Sequence, residues 1–420
     1  MRVFQVNSVY NIGSTGKIVH DMHTIFKRRG IDSYVVYGRG ITSAKTVKDT
    51  HVIRLCTEMY AKANTARAIM TGLPYGGCER STKRLIGLIR ELKPDVVHLQ
   101  CINEHFVNIY TLLEWLGKNR IPTVVTLHSE FMFTANCGHA NDCTKWKHGC
   151  GNCPNLRDAT RSLWLDRTEG SYRKMKRAFE SFRGNLYVVS VSPWLEKRAL
   201  RSPILKDKKH DIILNGLDTR VFCHRKKYSH IDTTEYKKYK RIIFHATAMF
   251  RDGKEDPKGG WYIIRLAERL KKDGVLVVVA GKYEIREKLP DNVKLLGIVR
   301  NQDEMAEYYS YADLTLVTSK RETFSMVCAE SLCCGTPVAG FEAGGPETIA
   351  LPLYTMFVPY GDTDELEKCV RKMLDDRDTE KNNKNSEQIA EEAAELYDRE
   401  RMASKYIEKY EWLMRSYDVR

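Results

Sequence analysis

Residues 319–347 read S-K-R-E-T-F-S-M-V-C-A-E-S-L-C-C-G-T-P-V-A-G-F-E-A-G-G-P-E. An apolar strand ends at the start of this stretch, and the pattern predicts a helix that begins near Phe324. Gly335 and Pro337 mark the end of that helix and the start of another strand. The Gly344-Gly345 pair predicts a tight loop after it. The stretch therefore has the strand–helix–strand order of a parallel α/β sheet.

The corner between the first strand and the helix predicts a binding site for a sugar diphosphate. A helix start presents unpaired backbone N–H groups and a partial positive charge, which together favour phosphate. Glu322 precedes the helix and Glu330 follows eight residues later, up to about 12 Å of helical rise. Carboxylates accept hydrogen bonds from sugar hydroxyls. We therefore expect one acidic side chain at each end of a bound nucleotide sugar.

Buried-strand patterns alternate with helical patterns along both halves of the chain. They lie at residues 3–6, 34–37, 96–99, 124–127 and 186–191, and again at 242–244, 275–279, 293–296, 314–317, 337–339 and 356–358. Continuous apolar strands separated by helices indicate parallel sheets covered on both faces. The fold class predicted is α/β, with two doubly wound Rossmann-like domains that face a cleft.

We expect three parts in the chain. Residues 1–215 form an N-terminal domain with a cysteine-rich loop at 136–155, residues 216–400 form a C-terminal domain, and residues 401–420 form an amphipathic helix that returns to the N-terminal domain. The lysine-rich stretch 225–241 predicts a surface insertion after the domain junction.

Composition limits the classes of function. The 420 residues are 42% hydrophobic and 29% charged, as in globular proteins. No apolar run approaches the ~18 residues that span a bilayer, and no signal peptide is expected, since Met1-Arg2 leads directly into a strand. The predicted location is cytoplasmic, or peripheral on the cytoplasmic face of a membrane. The net charge of +14 is compatible with an ordinary basic surface or with attraction to anionic lipid or substrate. No nucleic-acid recognition motif is visible, so nucleic acid is not an expected partner.

Residues 319–347 resemble the E-x7-E signature of family 4 of the retaining glycosyltransferases, which have the GT-B fold. The resemblance covers most of residues 185–365, and its further matches lie at residues 189–195, 214–218, 257–259, 296–299 and 308–312. It implies a retaining enzyme that moves a sugar from a nucleotide-diphosphate-sugar to a glycan or lipid-linked acceptor. Relatives of this kind build cell-surface polysaccharides such as capsule or lipopolysaccharide.

The resemblance also implies roles for residues of the second half. Glu330 should hold the ribose hydroxyls, Glu322 the hydroxyls of the donor sugar, and Lys258 the diphosphate. The backbone near Ile298 should contact the base. Because Lys258 and the helix start can stabilise a departing diphosphate, no cofactor is expected for the chemistry.

In the first half, His128 resembles the family's histidine at a strand end, which lies over the donor sugar. We expect it to act as a neutral hydrogen-bonding group. Gly13 and Gly16 occupy the loop that approaches the phosphates or the acceptor.

The chain departs from the family pattern at two places. The family has Gly-Phe-Gly after its first glutamate, whereas this chain has Thr323-Phe324-Ser325, which places Phe324 and Ser325 where backbone amides meet the donor. The family also pairs its lysine with an arginine a few residues earlier. Arg251, seven residues before Lys258, is the expected substitute.

Four of the twelve cysteines are clustered, at Cys137, Cys143, Cys150 and Cys153. The last two have C-x2-C spacing, as in zinc knuckles, and four thiolates satisfy a structural zinc site. Free thiols or redox chemistry are the alternative. We expect the loop to be architectural and not catalytic.

Residues 161–182 mix aromatic and basic side chains and predict a basic amphipathic helix. Such a helix is either an ordinary surface helix or one that lies on an anionic membrane, where it would serve a lipid-linked acceptor.

Two other functions remain open from the sequence. The first is a nucleotide-sugar epimerase or sugar phosphorylase on the same two-domain plan, although no lysine-bound cofactor site of a phosphorylase is visible. The second is a non-catalytic zinc-bearing binding protein, for which Glu322→Ala would leave function intact.

Overall fold

The computed structural model describes residues 1–40, 49–376 and 382–418. The chain divides into two compact units: unit 1 consists of Met1–Ile213 and Met402–Arg420, and unit 2 of Leu214–Arg401. The sequence places the corresponding boundaries after residues 215 and 400. The last two residues of the predicted segment 401–420 lie outside the described residues.

Unit 1 is built on a seven-stranded sheet with the order β3-β2-β1-β4-β5-β6-β7, and neighbouring strands are parallel. Its strands are β1 (Arg2–Asn7), β2 (Asp32–Tyr37), β3 (Val52–Arg54), β4 (Val96–Leu99), β5 (Thr123–Leu127), β6 (Leu186–Ser190) and β7 (Lys209–Ile212). Strands β2 and β3 extend the sheet on one side of β1, and β4 to β7 extend it on the other side. Ligands of open α/β sheets bind beyond the carboxyl ends of the strands at such a reversal.

The helices of unit 1 are α1 (Gly13–Arg28), α2 (Glu58–Thr71), α3 (Glu79–Leu92), α4 (Ile109–Lys118), α5 (Phe131–Thr134), α6 (Leu156–Ala159), α7 (Thr168–Glu180) and α8 (Pro193–Ala199), with a 3-10 turn at Lys145–Lys147. The C-terminal helix α15 (Arg399–Asp418) also contributes most of its length to unit 1. Its apolar face shares a core with α1 and the sheet, in which Met402, Tyr406 and Tyr410 are buried.

A chain of buried polar groups joins α15 to the sheet. The hydroxyl of Tyr410 lies 2.7 Å from Nδ1 of His98, and Nε2 of His98 lies 2.8 Å from Oγ1 of Thr126. Thr126 in turn lies 2.9 Å from the hydroxyl of Tyr406. Burial lowers the pKa of His98 to about 3, so the imidazole is neutral. One ring nitrogen of His98 therefore donates a hydrogen bond and the other accepts one, so both nitrogens are satisfied inside the core.

The basic segment predicted at residues 161–182 is a loop followed by a shorter helix, α7. The aromatic and methionine side chains of this helix, Tyr172, Met175 and Phe179, are buried in unit 1. They are therefore not available to lipid. Leu163 and Trp164 belong to the preceding loop and are exposed.

Unit 2 has a six-stranded parallel sheet with the order β10-β9-β8-β11-β12-β13. Its strands are β8 (Arg241–Arg251), β9 (Val275–Glu284), β10 (Val293–Gly297), β11 (Leu314–Val317), β12 (Val338–Phe341) and β13 (Thr355–Val358). Here the order reverses between β8 and β11, which are hydrogen-bonded neighbours. The expected ligand position in unit 2 is thus beyond the ends of these two strands.

The helices of unit 2 are α9 (Gly260–Leu270), α10 (Gln302–Tyr311), α11 (Met326–Cys333), α12 (Pro346–Ile349), α13 (Thr363–Asp376) and α14 (Asn382–Tyr397), with 3-10 turns at Thr234–Lys238, Lys271–Asp273 and Pro352–Tyr354. Helices α9 and α13 cover the sheet and bury an aliphatic core that includes Ile263, Leu266 and Val277. The predicted α/β class with two parallel-sheet, Rossmann-like domains is confirmed. Over the described ranges, no helix combines the length and the apolar character needed to cross a membrane.

Candidate active site

The loop that follows β8 is fixed against the end of β11. A Cβ atom on Gly259 would stand 2.2 Å from the carbonyl oxygen of Thr318, and Gly259 has φ +73°, so glycine is needed for this approach. The Thr318 hydroxyl donates to the carbonyl of Lys258 at 3.2 Å, and the N–H of Lys320 donates to the carbonyl of Pro257 at 2.8 Å. The loops of the two switch-point strands are therefore joined next to Lys258.

The loop after β11 is held on its other side by the loop after β12. The N–H of Glu322 donates to Ala343 O at 3.0 Å, and the N–H of Gly345 donates to Glu322 O at 2.8 Å. A Cβ atom on Gly345 would lie 2.5 Å from the carbonyl carbon of Thr323. Gly345 thus allows the close approach of the two loops that fixes the backbone of Glu322.

These two sets of contacts bring Lys258 and Glu322 together. Nζ of Lys258 lies 2.6 Å from Oε1 of Glu322, and the two side chains keep 38% and 25% of their exposure. An ion pair this exposed contributes little to stability. The ammonium group of the pair can bind a phosphate of a ligand, and the adjacent carboxylate can accept a hydrogen bond from a ligand hydroxyl.

Helix α11 begins at Met326, two residues after the predicted start, and Ser325 is its N-cap. Ser325 has φ +87°, and its hydroxyl accepts a hydrogen bond from the N–H of Cys328 at 3.3 Å. Phe324 is buried, with its ring edge-on to Tyr397 at 6.2 Å. The side chain of Phe324 therefore anchors the corner, and only its backbone remains for ligand contacts.

Glu330 lies on α11, and the residue as a whole is half-buried. Burial raises its pKa to about 7, opposed in part by the hydroxyl of Tyr309, which donates to Oε2 at 2.9 Å. The carboxyl group is therefore partly protonated near neutral pH. A pair of ligand hydroxyls would favour its charged form by donating to it.

The guanidinium of Arg251 is engaged by carboxylates outside the Lys258–Glu322 pair. It lies 3.1 Å from Asp256 and 2.8 Å from Glu284. Asp256 also accepts a hydrogen bond from the backbone N–H of Lys258 at 2.9 Å. Arg251 and the backbone of Lys258 thus share Asp256 as a partner in this structure. Ile298 follows the edge strand β10 and is 51% exposed.

His245, on β8, is a residue of this region that sequence reasoning missed. Its Nδ1 lies 3.0 Å from the carbonyl of Leu316 on β11. Burial and, to a smaller extent, the charge of Lys258 lower its pKa to about 4. In the described part of the chain, Nε2 has no hydrogen-bond partner. The sequence signal that could have identified His245 is a single histidine within an apolar strand next to the strand reversal.

In unit 1, His128 directly follows β5, and its Nε2 lies 3.2 Å from Oε1 of Gln100. The amide of Gln100 is oriented by donating to Oε1 of Gln5 at 3.1 Å, so Nε2 of His128 carries the proton. Burial lowers the pKa of His128 to about 4, which leaves the imidazole neutral. Gln100, at the end of β4, was also missed from the sequence.

Gly13 and Gly16 lie in the loop after β1 and the first turn of α1. Gly13 has φ +63° and open space around its Cβ position, whereas a Cβ on Gly16 would stand 3.0 Å from Cγ2 of Val9. The N–H of Asn11 donates to Gly16 O at 2.9 Å. Gly16 therefore lets the loop fold tightly onto α1, and Gly13 supplies a left-handed backbone.

The four clustered cysteines, Cys137, Cys143, Cys150 and Cys153, line one pocket of unit 1 and form no disulfide. Burial raises the pKa of Cys150 to about 11, with smaller contributions from neighbouring thiols. Among the described residues, no group of three or more His, Cys, Asp or Glu side chains is placed to hold one metal ion. The predicted ligand set is thus gathered in one pocket without forming coordination geometry. Zinc binding stays a prediction.

Residues 251–409 match the family model described as "Glycosyl transferases group 1". This segment contains Lys258, Glu322, Ser325 and Glu330. A longer match is to the putative colanic acid biosynthesis glycosyl transferase WcaC of Escherichia coli K12, with 22% identity over 346 residues, which are 80% of this chain and 82% of the relative.

Solved structures match along almost the whole chain. Sucrose-phosphate synthase from Thermosynechococcus elongatus has a TM-score of 0.68 and 16% identity, with 99% of this chain and 100% of that chain covered. HepE of Anabaena in complex with UDP has a TM-score of 0.63 and 16% identity, with 97% and 98% covered. A HepE structure in complex with UDP-glucose has a TM-score of 0.61 and 15% identity, with the same shares covered. The chain therefore has the GT-B fold, and its residues 251–409 are similar to the glycosyl transferases group 1 family.

Proposed function

We propose that this protein is a retaining glycosyltransferase that moves a sugar from a nucleotide-diphosphate-sugar to a glycan or lipid-linked acceptor. The observation that carries the proposal is the contact between Lys258 and Glu322 at the strand reversal of unit 2. The start of α11 and Glu330 follow directly in the chain. The group 1 segment that contains these residues supports the activity. The similarity to a protein of colanic acid biosynthesis supports a role in making cell-surface polysaccharide.

The proposed reaction breaks the bond between the anomeric carbon and the diphosphate oxygen. A new bond forms to an acceptor oxygen on the same face of the sugar, and the acceptor proton passes to the departing phosphate oxygen. Negative charge grows on the diphosphate during this step. The Lys258 ammonium and the free N–H groups at the start of α11 can stabilise that charge. Retention itself rests on the resemblance of residues 319–347 to the E-x7-E signature.

Lys258 and Glu322 exchange partners in this proposal. When a donor binds, its phosphate takes the ammonium of Lys258 and a sugar hydroxyl donates to Glu322. The donor replaces a weak ion pair with two charge-assisted hydrogen bonds. Ribose hydroxyls donate to Glu330 and stabilise its carboxylate. The UDP and UDP-glucose complexes of the HepE fold relative support a UDP-sugar as the donor.

His128 is proposed to hydrogen-bond the substrate as a neutral imidazole. Its lowered pKa and the proton held on Nε2 by Gln100 support this role over that of a general base. Lys258 and the helix start support chemistry without a metal ion. We further propose that the enzyme works in the cytoplasm or on the cytoplasmic face of a membrane.

The released sugar tests this function without knowledge of the acceptor. The protein is incubated with UDP-glucose in water, and the anomer released by slow hydrolysis is read by proton NMR before it equilibrates. We expect α-glucose from the α-linked donor, at a rate that Lys258→Ala and Glu322→Gln both reduce. Release of β-glucose would rule out retention, and release unaffected by both substitutions would rule out the site.

A further inference from the structure

Three consecutive apolar side chains of unit 1 point into solvent. Leu163, Trp164 and Leu165 are 42%, 72% and 40% exposed. They lie between α6 and α7 in a loop without helix or strand structure. Contact of a large apolar side chain with water is unfavourable, so most such side chains are buried. Three neighbouring apolar side chains exposed to solvent therefore indicate a surface that binds another molecule or a membrane.

Contacts within unit 1 fix the loop that carries these residues. The Ser162 hydroxyl donates to Leu165 O at 2.8 Å, and the N–H of Cys153 donates to Asp166 at 2.6 Å. A Cβ atom on Gly72 would stand 2.2 Å from Leu165 O, so the loop lies against the C-terminal end of α2. These contacts present the three side chains on a defined support.

Helix α2 adds a fourth exposed apolar side chain close to this contact. Met70 is two residues before Gly72 and is 58% exposed. We call Met70 and residues 163–165 the apolar tip. Its few side chains are too small to make a stable protein interface, which buries about 800 Å² on each partner. Such a tip is large enough to enter the boundary between lipid headgroups and acyl chains.

The stretch of sequence that contains residues 163–165 is basic. Residues 156–177 contain seven Arg and Lys against three Asp and Glu. Both oxygens of Asp166 accept hydrogen bonds within the protein, and Glu169 pairs with Arg173 at 3.7 Å. Lys174 and Arg177 are exposed on α7. Exposed basic side chains on the helix that follows an apolar loop complement a surface of anionic lipid.

We propose that the apolar tip inserts into the interfacial region of an anionic bilayer and that the basic residues around it bind the headgroups. Tryptophan favours this region because its ring is apolar and its N–H can reach water. The inference extends the proposed function by naming the surface with which unit 1 would reach a lipid-linked acceptor. It is independent of the nucleotide site in unit 2.

The test uses the full chain and vesicles of phosphatidylcholine with 30% phosphatidylglycerol, against vesicles of phosphatidylcholine alone. In co-sedimentation we expect binding to the anionic vesicles, and about tenfold weaker binding when Leu163, Trp164 and Leu165 are all changed to alanine. Leu353→Ala is the matched control, because Leu353 is 85% exposed in unit 2. Lys174→Gln with Arg177→Gln should weaken binding to anionic vesicles and make it less sensitive to salt.

Insertion depth is read from quenching of tryptophan fluorescence by brominated lipid. The protein has six tryptophans, so Trp164→Phe identifies the signal. We expect strong quenching in the wild type, and its loss in Trp164→Phe while vesicle binding persists.

Three results would overturn the proposal. They are no preference for anionic vesicles, equal loss of binding in Leu353→Ala, and a self-association in lipid-free solution that the triple alanine variant abolishes. Thermal stabilisation by a nucleoside diphosphate is measured on each variant. Because that readout belongs to unit 2, it separates failure of the apolar tip from failure of the proposed function.

Discussion

Nζ of Lys258 lies 2.6 Å from Oε1 of Glu322, although 64 residues separate them in the chain. The contact exists because β8 and β11 are adjacent at the strand reversal and because Gly259 and Gly345 let the following loops approach closely. Opposite charges at the end of a parallel sheet are poorly explained by stability, since the pair is exposed. The proposed donor, which carries both phosphate and hydroxyl groups, would account for them.

Replacing Glu322 by glutamine should impair turnover more than donor binding. The amide keeps the shape and can still accept a hydrogen bond from the bound sugar, but it loses the charge that favours the positive sugar of the transition state, so we expect kcat to fall about 100-fold with a small change in KM for the donor. Steady-state kinetics measure this split. Glu342→Gln is the control, since Glu342 is an exposed carboxylate in the neighbouring loop. A wild-type kcat in Glu322→Gln would show that Glu322 has no role in the reaction.

Glu330 should make both stability and nucleotide affinity depend on pH. Its pKa in the folded state is about 7, above the 4.5 of an exposed glutamate. The folded state therefore takes up a proton between these values, and stability falls as pH rises toward 7 and through it. Glu330→Gln avoids the buried charge, so we expect it to be about 1–2 kcal/mol more stable than wild type at pH 8 and nearly equal at pH 5.

The same substitution should weaken binding of a nucleoside diphosphate, because the ribose loses a charged acceptor. In the wild type, affinity should rise from pH 6 to pH 8, whereas in Glu330→Gln it should be flat. Urea unfolding and calorimetric titration at these pH values measure both effects. An affinity that rises equally in the two proteins would assign the pH dependence to another group.

Ser325 combines a strained backbone with a useful cap, and two substitutions separate these effects. Its φ of +87° costs a non-glycine residue about 1–2 kcal/mol. Its hydroxyl caps α11 by accepting from Cys328, worth about 1 kcal/mol. We expect Ser325→Ala to destabilise the protein by about 1 kcal/mol. Ser325→Gly should be neutral or stabilising in urea unfolding, and equal losses in both variants would contradict the strain.

Removing the hydroxyl of Tyr410 should loosen the C-terminal helix. Tyr410→Phe leaves the buried Nδ1 of His98 without its hydrogen-bond partner, which costs about 1–3 kcal/mol. Tyr406→Phe leaves Thr126 with its bond to His98, so a smaller loss is expected. The free energies of unfolding of the two variants in urea test this order, and a larger loss in Tyr406→Phe would contradict it.

The cysteine pocket predicts about one zinc ion per chain. The four thiols share one pocket, but Zn–S bonds of about 2.3 Å require them to move closer together than this structure places them. Metal analysis of protein purified without chelator measures the content, and Cys150→Ser with Cys153→Ser should abolish it. A metal-free wild type that folds normally would favour free thiols instead.

Sequence patterns predicted the central strands well and the edges poorly. Strand β5 and the first six residues of β9 are buried on both faces, so their sequences are mostly apolar. Strand β3 has three residues, and β7 reads K-H-D-I. Edge strands such as these are half exposed and carry no such pattern. The stretch 225–241 looked like a solvated insertion, yet its Ser229 and His230 donate backbone N–H groups to the buried Glu307.

Only part of the candidate active site could be predicted from the sequence, for a related reason. Periodicity and glycine placement indicated the corner at residues 319–331, but the partner of Glu322 came from a family resemblance and not from any local pattern. His245 and Gln100 were missed because each matters through a neighbour on an adjacent strand, Leu316 and His128, respectively. Contacts between strands far apart in the chain leave no local pattern in a single sequence.

Binding of nucleoside diphosphates to wild type, Lys258→Ala and Lys254→Ala tests the central claim most directly. Lys254 lies in the same loop but is exposed, over the ring of Trp261. Thermal unfolding is followed with UDP, GDP and ADP at millimolar concentration. The account predicts that at least one of them stabilises the wild type and Lys254→Ala but not Lys258→Ala. Stabilisation by none of them, or equal stabilisation of all three proteins, would contradict it.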